Sequence, residues 1–149
     1  MQQSRKVVTI VYLAIAVVAL IACWRQNIAF MSNAGTSLLG GFIQFWPALL
    51  ANHATTSITI DSFLFGLAAL VWMVFEARSL GIGFVWLYVI LAFVIAISVT
   101  FPLFLFARER RLEELGRARN EAAPTAFDVA GLAIVGIPIV VFALYTLTH

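Results

Sequence analysis

Residues 82–107 read IGFVWLYVILAFVIAISVTFPLFLFA, a run of 26 residues without a charged side chain. At 1.5 Å per residue, a helix of this length is long enough to cross the roughly 30 Å hydrocarbon core of a bilayer. Pro102 lies close to the far end of the run. The pattern predicts a membrane-spanning helix over residues 82–107.

Three further apolar blocks flank this run. Residues 7–24 and 129–148 contain no charged residue, and residues 58–75 contain only Asp61. Blocks of about 18 or more apolar residues are typical of transmembrane helices. The sequence therefore predicts an all-α integral membrane protein in which four transmembrane helices form a single domain over residues 1–149.

The composition supports a membrane protein and excludes a soluble globular domain. Of the 149 residues, 63% are hydrophobic and 11% are charged, against roughly 25% charged in a soluble domain. The single cysteine, Cys23, excludes an intramolecular disulfide and a Cys-based metal cluster. Cys23 ends the sequence Leu-Ile-Ala-Cys, which matches the pattern before a lipid-modified cysteine, and its alternative role is that of a small buried residue.

Residues 38–51 form a shorter apolar segment between the first two spans. It contains Gly40, Gly41 and three aromatic residues, Phe42, Phe45 and Trp46. Aromatic rings of this kind favour the membrane–water interface. We expect an interfacial segment over residues 38–51, and a re-entrant segment within residues 28–50 is the alternative.

Charged residues follow the third block. Residues 108–120 contain five arginines and keep favourable i,i+4 pairs, such as Arg110 with Glu114. This predicts a charged helical extension over residues 108–120. Thr125 and Asp128 then have the spacing of a capping box that opens the fourth span.

The sequence is compatible with either membrane orientation. Four spans place three basic residues on one side and six on the other, so the positive-inside rule puts residues 107–128 in the cytoplasm. By the same rule, Arg5 and Lys6 just before the first span favour a cytoplasmic N-terminus. Four spans, however, place the N-terminus on the side of the membrane opposite residues 107–128. The clustered basic residues indicate membrane sidedness, and no nucleic-acid partner is expected.

Asp61 is the most informative single residue, because a carboxylate inside a span is costly unless it is paired. It is either an anchor near a helix N-terminus or a site residue. Polar residues precede it, and together they are the candidate ligand or polar site: Asn52, His53, Thr55, Ser57 and Asp61. Glu76 and Arg78 are expected to form a charge pair at the membrane surface. The sequence shows no catalytic triad and no metal-ligand set, so we expect no metal and no cofactor.

Several of these motifs resemble an uncharacterised bacterial membrane family, DUF2834. The family reads F-A-N-P-x-S, an acidic residue, E-x-R-x-L-G and P-L-F-L-x-x-R-E, and this chain has Leu-Ala-Asn at 50–52, Asp61, EARSLG at 76–81 and PLFLFARE at 102–109. His53 and Thr55 replace the expected proline and serine. The resemblance covers roughly residues 7–112, and the fourth span is an addition. It implies a multi-pass protein of the bacterial cytoplasmic membrane.

A looser similarity links the segment from Asn52 to Asp61 to the neoxanthin-synthesis membrane family. That similarity implies binding or rearrangement of an isoprenoid, with Asp61 as a proton donor or acceptor.

Two functions follow as hypotheses. The first is an accessory protein that packs with itself or with a membrane protein partner, because small residues in the spans suit helix association. The second is a lipid or isoprenoid-binding protein, or an isomerase-type enzyme, that uses Asp61.

Overall fold

A computed structural model describes residues 2–33, 37–116 and 125–147 of the chain, and every described element of regular structure is helical. The helices are α1 (Gln2–Asn33), α2 (Leu38–Ala48), α3 (His53–Leu80), α4 (Val85–Val94), α5 (Ile97–Glu114) and α6 (Ala126–Tyr145). Three segments are long and apolar enough to cross a membrane: Lys6–Ser32, His53–Leu80 and Ala126–Tyr145. The protein is therefore an all-α membrane protein with three candidate spans, rather than the four that the sequence predicts.

The difference lies in residues 82–107, where the predicted single helix is wrong. The chain forms α4, leaves helical geometry at Ile95 and Ala96, and then forms α5. Ala96 has extended backbone, with φ 172° and ψ 146°. Of the two helices, α4 is a shorter apolar helix of 10 residues, too short to span alone.

α4 and α5 form an antiparallel hairpin. The rings of Tyr88 and Phe104 are 5.7 Å apart, centroid to centroid, whereas residues 16 apart in one straight helix would be separated by about 24 Å. The tip of this hairpin reaches the middle of α3, because Ile97 lies beside Gly66. The start of α4 and the end of α5 therefore lie at the same end of the bundle, which is the open end of the hairpin.

Packing against α3 explains why the chain turns back. Phe104 and Met73 have no exposed surface, and with Ala77 and Val85 they form the buried hydrophobic core. A continuous helix would carry Phe104 away from Val85 and leave this core unfilled. The break itself lies at Ile95 and Ala96, and Ala96 is six residues before Pro102.

α1 runs from the end of the bundle where the hairpin opens to the opposite end. Cys23 of α1 contacts Ser98 near the hairpin tip, with 3.8 Å between Sγ and Oγ. Further along α1, a Cβ on Gly41 of α2 would lie only 3.0 Å from a side-chain carbon of Met31. α2 therefore lies close against the last turns of α1.

α2 also contacts the first half of α3 and closes one side of the bundle. The Trp46 ring lies 6.4 Å from the Phe63 ring, and the Phe45 ring lies 5.7 Å from the Phe30 ring of α1. The apolar segment predicted over residues 38–51 is thus helical over Leu38–Ala48. Its position at a membrane interface stays a prediction.

The remaining elements agree with two local predictions. Thr125 and Asp128 form the predicted capping box at the start of α6, with 3.2 Å from the Asp128 backbone nitrogen to Thr125 Oγ1. The charged extension is helical to Glu114, and residues 117–120 lie outside the described part of the chain. Among the described helices, α6 packs against α1 alone, where Gln26 Nε2 donates to the Thr146 carbonyl at 2.7 Å.

Candidate functional site

The predicted polar site at the start of α3 is used in part to begin that helix. Asn52 Oδ1 accepts from the backbone nitrogens of Ala54 and Thr55 at 2.9 and 3.0 Å, and Thr55 Oγ1 accepts from the Asn52 nitrogen at 3.2 Å. These contacts form a capping box, which satisfies otherwise unpaired helix N–H groups. Asn52 and Thr55 thus have a structural role that accounts for their polarity.

The other members of that predicted site do not gather around a common point. His53, Ser57 and Asp61 are exposed along the first turns of α3. Asp61 is not among the residues that line the apolar cavity described below, although its neighbours Ser62 and Phe63 are. A ligand role for these three side chains stays a prediction.

Glu76 forms its ion pair across helices. Arg108 Nε of α5 lies 2.6 Å from Glu76 Oε1, and Arg78 is exposed. Residues two positions apart point to different sides of a helix, so Arg78 is poorly placed to pair with Glu76. The charge pair expected within α3 is replaced by one that joins α3 to the hairpin.

This ion pair is part of a polar cluster that closes the open end of the hairpin. Arg108 Nη1 also donates to Glu109 Oε1 at 3.1 Å, and the Arg108 guanidinium lies 5.8 Å from the Trp72 ring centroid. Arg111 Nε donates to the Leu80 carbonyl at 3.0 Å, near the end of α3. Glu109 is only 2% exposed, so the cluster is a built element of the fold rather than a set of surface charges.

A cavity of about 520 Å³ lies on the other side of the hairpin tip. Its walls come from the second half of α1, from α2 and from the first half of α3, and its floor is the tip of the hairpin. The lining includes Asn27, Phe42, Trp46, Phe63, Gly66 and Ala96. Most of its other lining residues are apolar.

The hairpin explains why this cavity exists. α4 and α5 reach only the level of Gly66 and then return, so half of the bundle lacks the helices that fill the other half. α2 covers that space from one side through Phe42, Phe45 and Trp46 without filling it. The cavity is therefore a consequence of the fold and needs no rearrangement to form.

A few polar groups border this apolar cavity. Cys23 lines it and contacts Ser98, and Asn27 lines it as a half-buried amide. The indole nitrogen of Trp24 is buried and hydrogen-bonds to no described residue. Of the lining residues that the structure describes, Cys23 is the one with a titratable side chain, and none has a carboxylate for acid–base chemistry. Such a lining suits an apolar ligand.

The fold and cavity define a class: a small helical membrane protein whose paired short helices leave an apolar cavity between the longer ones. Within that class, the family model for a protein of unknown function, DUF2834, matches residues 11–110, and the chain belongs to this family. The match includes the whole hairpin except its last turn and ends before α6. No curated protein and no solved structure matches the chain, so the similarity to the neoxanthin-synthesis family has no support from those comparisons.

The structure gives the family motifs a shared location. The segment EARSLG at 76–81 and the segment PLFLFARE at 102–109 meet through the Glu76–Arg108 ion pair. The hydropathy pattern places these segments in separate predicted spans and does not predict their contact. The opposite charges of Glu76 and Arg108 at the ends of two apolar blocks were the available signal, but nothing in the sequence showed that the second block folds back.

Proposed function

We propose that this protein binds an apolar lipid chain in the cavity between α1, α2 and α3. The observation that carries the proposal is the cavity itself, whose volume of about 520 Å³ falls within the 300–1,000 Å³ range of ligand sites. The ligand class is a lipid with a long apolar chain, either acyl or isoprenoid. Its entry route is the bilayer, which borders the exposed faces of α2 and α3.

An isomerase-type reaction at Asp61 is not part of this proposal. Asp61 lies outside the cavity, and among the described residues none that lines it has a carboxylate that could move a proton to or from a bound chain. Asp61 lies in the third turn of α3, beyond the first turn in which the helix dipole favours a negative charge, so the expected role of an anchor near the helix N-terminus is not supported either. The proposed activity is therefore binding.

The accessory role inferred from small residues has less support. Gly131 and Gly136 of α6 have open space beside them, and the surrounding side chains of α6 are exposed and apolar. A lipid bilayer covers such a surface as well as a partner helix does. Self-association or a membrane protein partner remains a prediction.

We further propose that the open end of the hairpin faces the cytoplasm of the bacterial inner membrane. Five of the six basic side chains that the structure describes lie toward this end: Lys6, Arg78, Arg108, Arg110 and Arg111. Arg25 lies in the second half of α1. This five-to-one distribution favours a cytoplasmic location by the positive-inside rule, and it places α2 and the cavity toward the other side.

Gly66→Leu tests the binding proposal. Gly66 lines the cavity, and a Cβ there would make ordinary contact with Ile97 at 3.6 Å, so a leucine side chain should take up space in the cavity. The protein is purified in mild detergent, and the small molecules it retains are extracted and quantified by mass spectrometry. We expect the variant to retain at least about tenfold less apolar ligand than the wild type, which corresponds to a loss of 1.4 kcal/mol in binding.

Two further variants serve as controls in the same measurement. Gly136→Leu introduces the same side chain into α6, where nothing lies within 4 Å, and Asp61→Asn removes the carboxylate that lies outside the cavity. Both should retain the wild-type amount of ligand. The proposal is wrong if the wild type retains only bulk phospholipid, or if Asp61→Asn loses the ligand and Gly66→Leu keeps it.

A further inference from the structure

A second, open groove lies at the basic end of the bundle, separate from the cavity. It has a volume of about 450 Å³ and runs between the α3–α4 turn and the outer part of α5. Gly83 in the turn has nothing within 4 Å of a Cβ position, so the groove is open there. Its apolar walls are Ile82, Phe106 and Ala107.

Arg110 is the arginine of this groove whose guanidinium can bind an anionic ligand. Its guanidinium lies 5.9 Å from the Phe106 ring centroid, and it makes no ion pair or hydrogen bond with the described residues. Arg108 is engaged by Glu76 and Glu109, and Arg111 by the Leu80 carbonyl and Glu114.

The groove carries a net positive charge and further donors. Arg110 and Arg111 line it with one carboxylate, Glu114, which Arg111 already pairs at 2.9 Å. The Tyr88 hydroxyl also belongs to a residue that lines the groove, and it hydrogen-bonds to no described residue. An anion that binds here would meet a guanidinium held against an aromatic ring, which reduces the side-chain entropy lost on binding.

We propose that this groove binds the phosphate of an anionic phospholipid, with Arg110 as the principal anion contact. A guanidinium matches the geometry of a phosphate through two parallel hydrogen bonds. The apolar walls beside Arg110 suit the adjoining glycerol and chains, which a free phosphate lacks. The groove also lies where the apolar helices give way to the charged part of α5, and basic pockets beside apolar helices recognise anionic headgroups.

The experiment uses the full chain in mild detergent with equal amounts of phosphatidylglycerol and phosphatidylcholine that carry the same acyl chains. Native mass spectrometry counts each lipid retained by the protein. Both lipids carry the phosphate, but the choline cation of phosphatidylcholine cancels its charge, so the wild type should prefer phosphatidylglycerol by roughly fivefold, the factor expected for one basic residue beside a net negative charge. Arg110→Gln should abolish that preference, and Tyr88→Phe should weaken it less.

Arg78→Gln is the matched control, because Arg78 is an exposed arginine toward the same end that does not line the groove. It should keep the preference. The proposal is overturned if the wild type shows no preference, if both arginine variants lose it equally, or if excess inorganic phosphate displaces the lipid. The last outcome would identify a site for free phosphate.

Discussion

Replacement of Arg108 by alanine should lower the free energy of unfolding of the bundle by about 3 kcal/mol. Arg108 joins Glu76 of α3, at 2.6 Å, to the hairpin, and it also donates to Glu109, which is 2% exposed. Loss of one partner from such a cluster leaves negative charges in a poorly hydrated place. It also removes the guanidinium that lies over the Trp72 ring.

The measurement is unfolding of the purified protein by sodium dodecyl sulfate titrated into mild-detergent micelles. Arg78→Ala is the control, since Arg78 is exposed toward the same end of the bundle, and it should change the free energy by less than about 0.5 kcal/mol. Arg108→Lys should fall between the two, because an ammonium keeps the charge without the planar fork. Equal effects of Arg108→Ala and Arg78→Ala would show that the cluster does not hold the hairpin against α3.

Phe104→Ala should cost a similar amount, about 3 kcal/mol. The Phe104 ring has no exposed surface and lies 5.7 Å from the Tyr88 ring and 6.0 Å from the Trp72 ring, centroid to centroid. Truncation leaves a hole at the point where α3, α4 and α5 meet. The expected loss of stability comes from lost van der Waals packing and not from a weaker hydrophobic effect. Lipid excludes water as the protein core does, so moving a ring between the two gains little transfer free energy.

Phe75→Ala is the matched control for this substitution. Phe75 lies on α3 near Met73 in sequence but is 72% exposed, so its ring faces lipid and its truncation should cost little. The same detergent titration compares the two variants. If Phe75→Ala were as destabilising as Phe104→Ala, the hairpin could not pack against α3 in the way described.

The long helices could be predicted from the sequence because each one is an uninterrupted apolar block. The blocks at 7–24, 58–75 and 129–148 lie mostly within α1, α3 and α6. α1 and α3 extend beyond these blocks because polar residues near their ends are also helical. A prediction based on apolar blocks leaves those residues out. The capping box of Thr125 and Asp128 was also predictable, because it depends on residues only three apart.

The hairpin could not be predicted in the same way. No glycine or proline lies at the break between Ile95 and Ala96, and an apolar run of 26 residues is equally consistent with one span. The contacts that hold the hairpin join residues distant in sequence, such as Glu76 and Arg108, which are 32 positions apart. Hydropathy indicates that a segment prefers lipid, but it does not indicate whether the segment crosses the bilayer or folds back to the side from which it entered.

The candidate sites show the same division. Polarity drew attention to Asn52 and Thr55, whose side chains are explained by the capping box of α3. The cavity, in contrast, is lined mostly by apolar residues that look like any others in a membrane protein, including Phe63 and Gly66. It exists because of where the hairpin stops, so no local pattern could indicate it.

The hairpin also removes the conflict in membrane orientation. With four spans, Arg5 and Lys6 lie on the side opposite the arginines that follow residue 107. With a hairpin that returns, Lys6 and Arg108 lie toward the same end of the bundle. One orientation then satisfies both charge clusters by the positive-inside rule.

The most direct test of the hairpin is the sidedness of its two ends. Single cysteines are introduced in a Cys23→Ser background at Gly83, at Glu113 and, for comparison, at Ala51, all of which are exposed. Each variant is labelled in sealed vesicles with a thiol reagent that does not cross the membrane. With the hairpin, Gly83→Cys and Glu113→Cys should react from the same side and Ala51→Cys from the other. Reaction of Gly83→Cys and Glu113→Cys from opposite sides would contradict the hairpin, because residues 82–107 would then cross the bilayer.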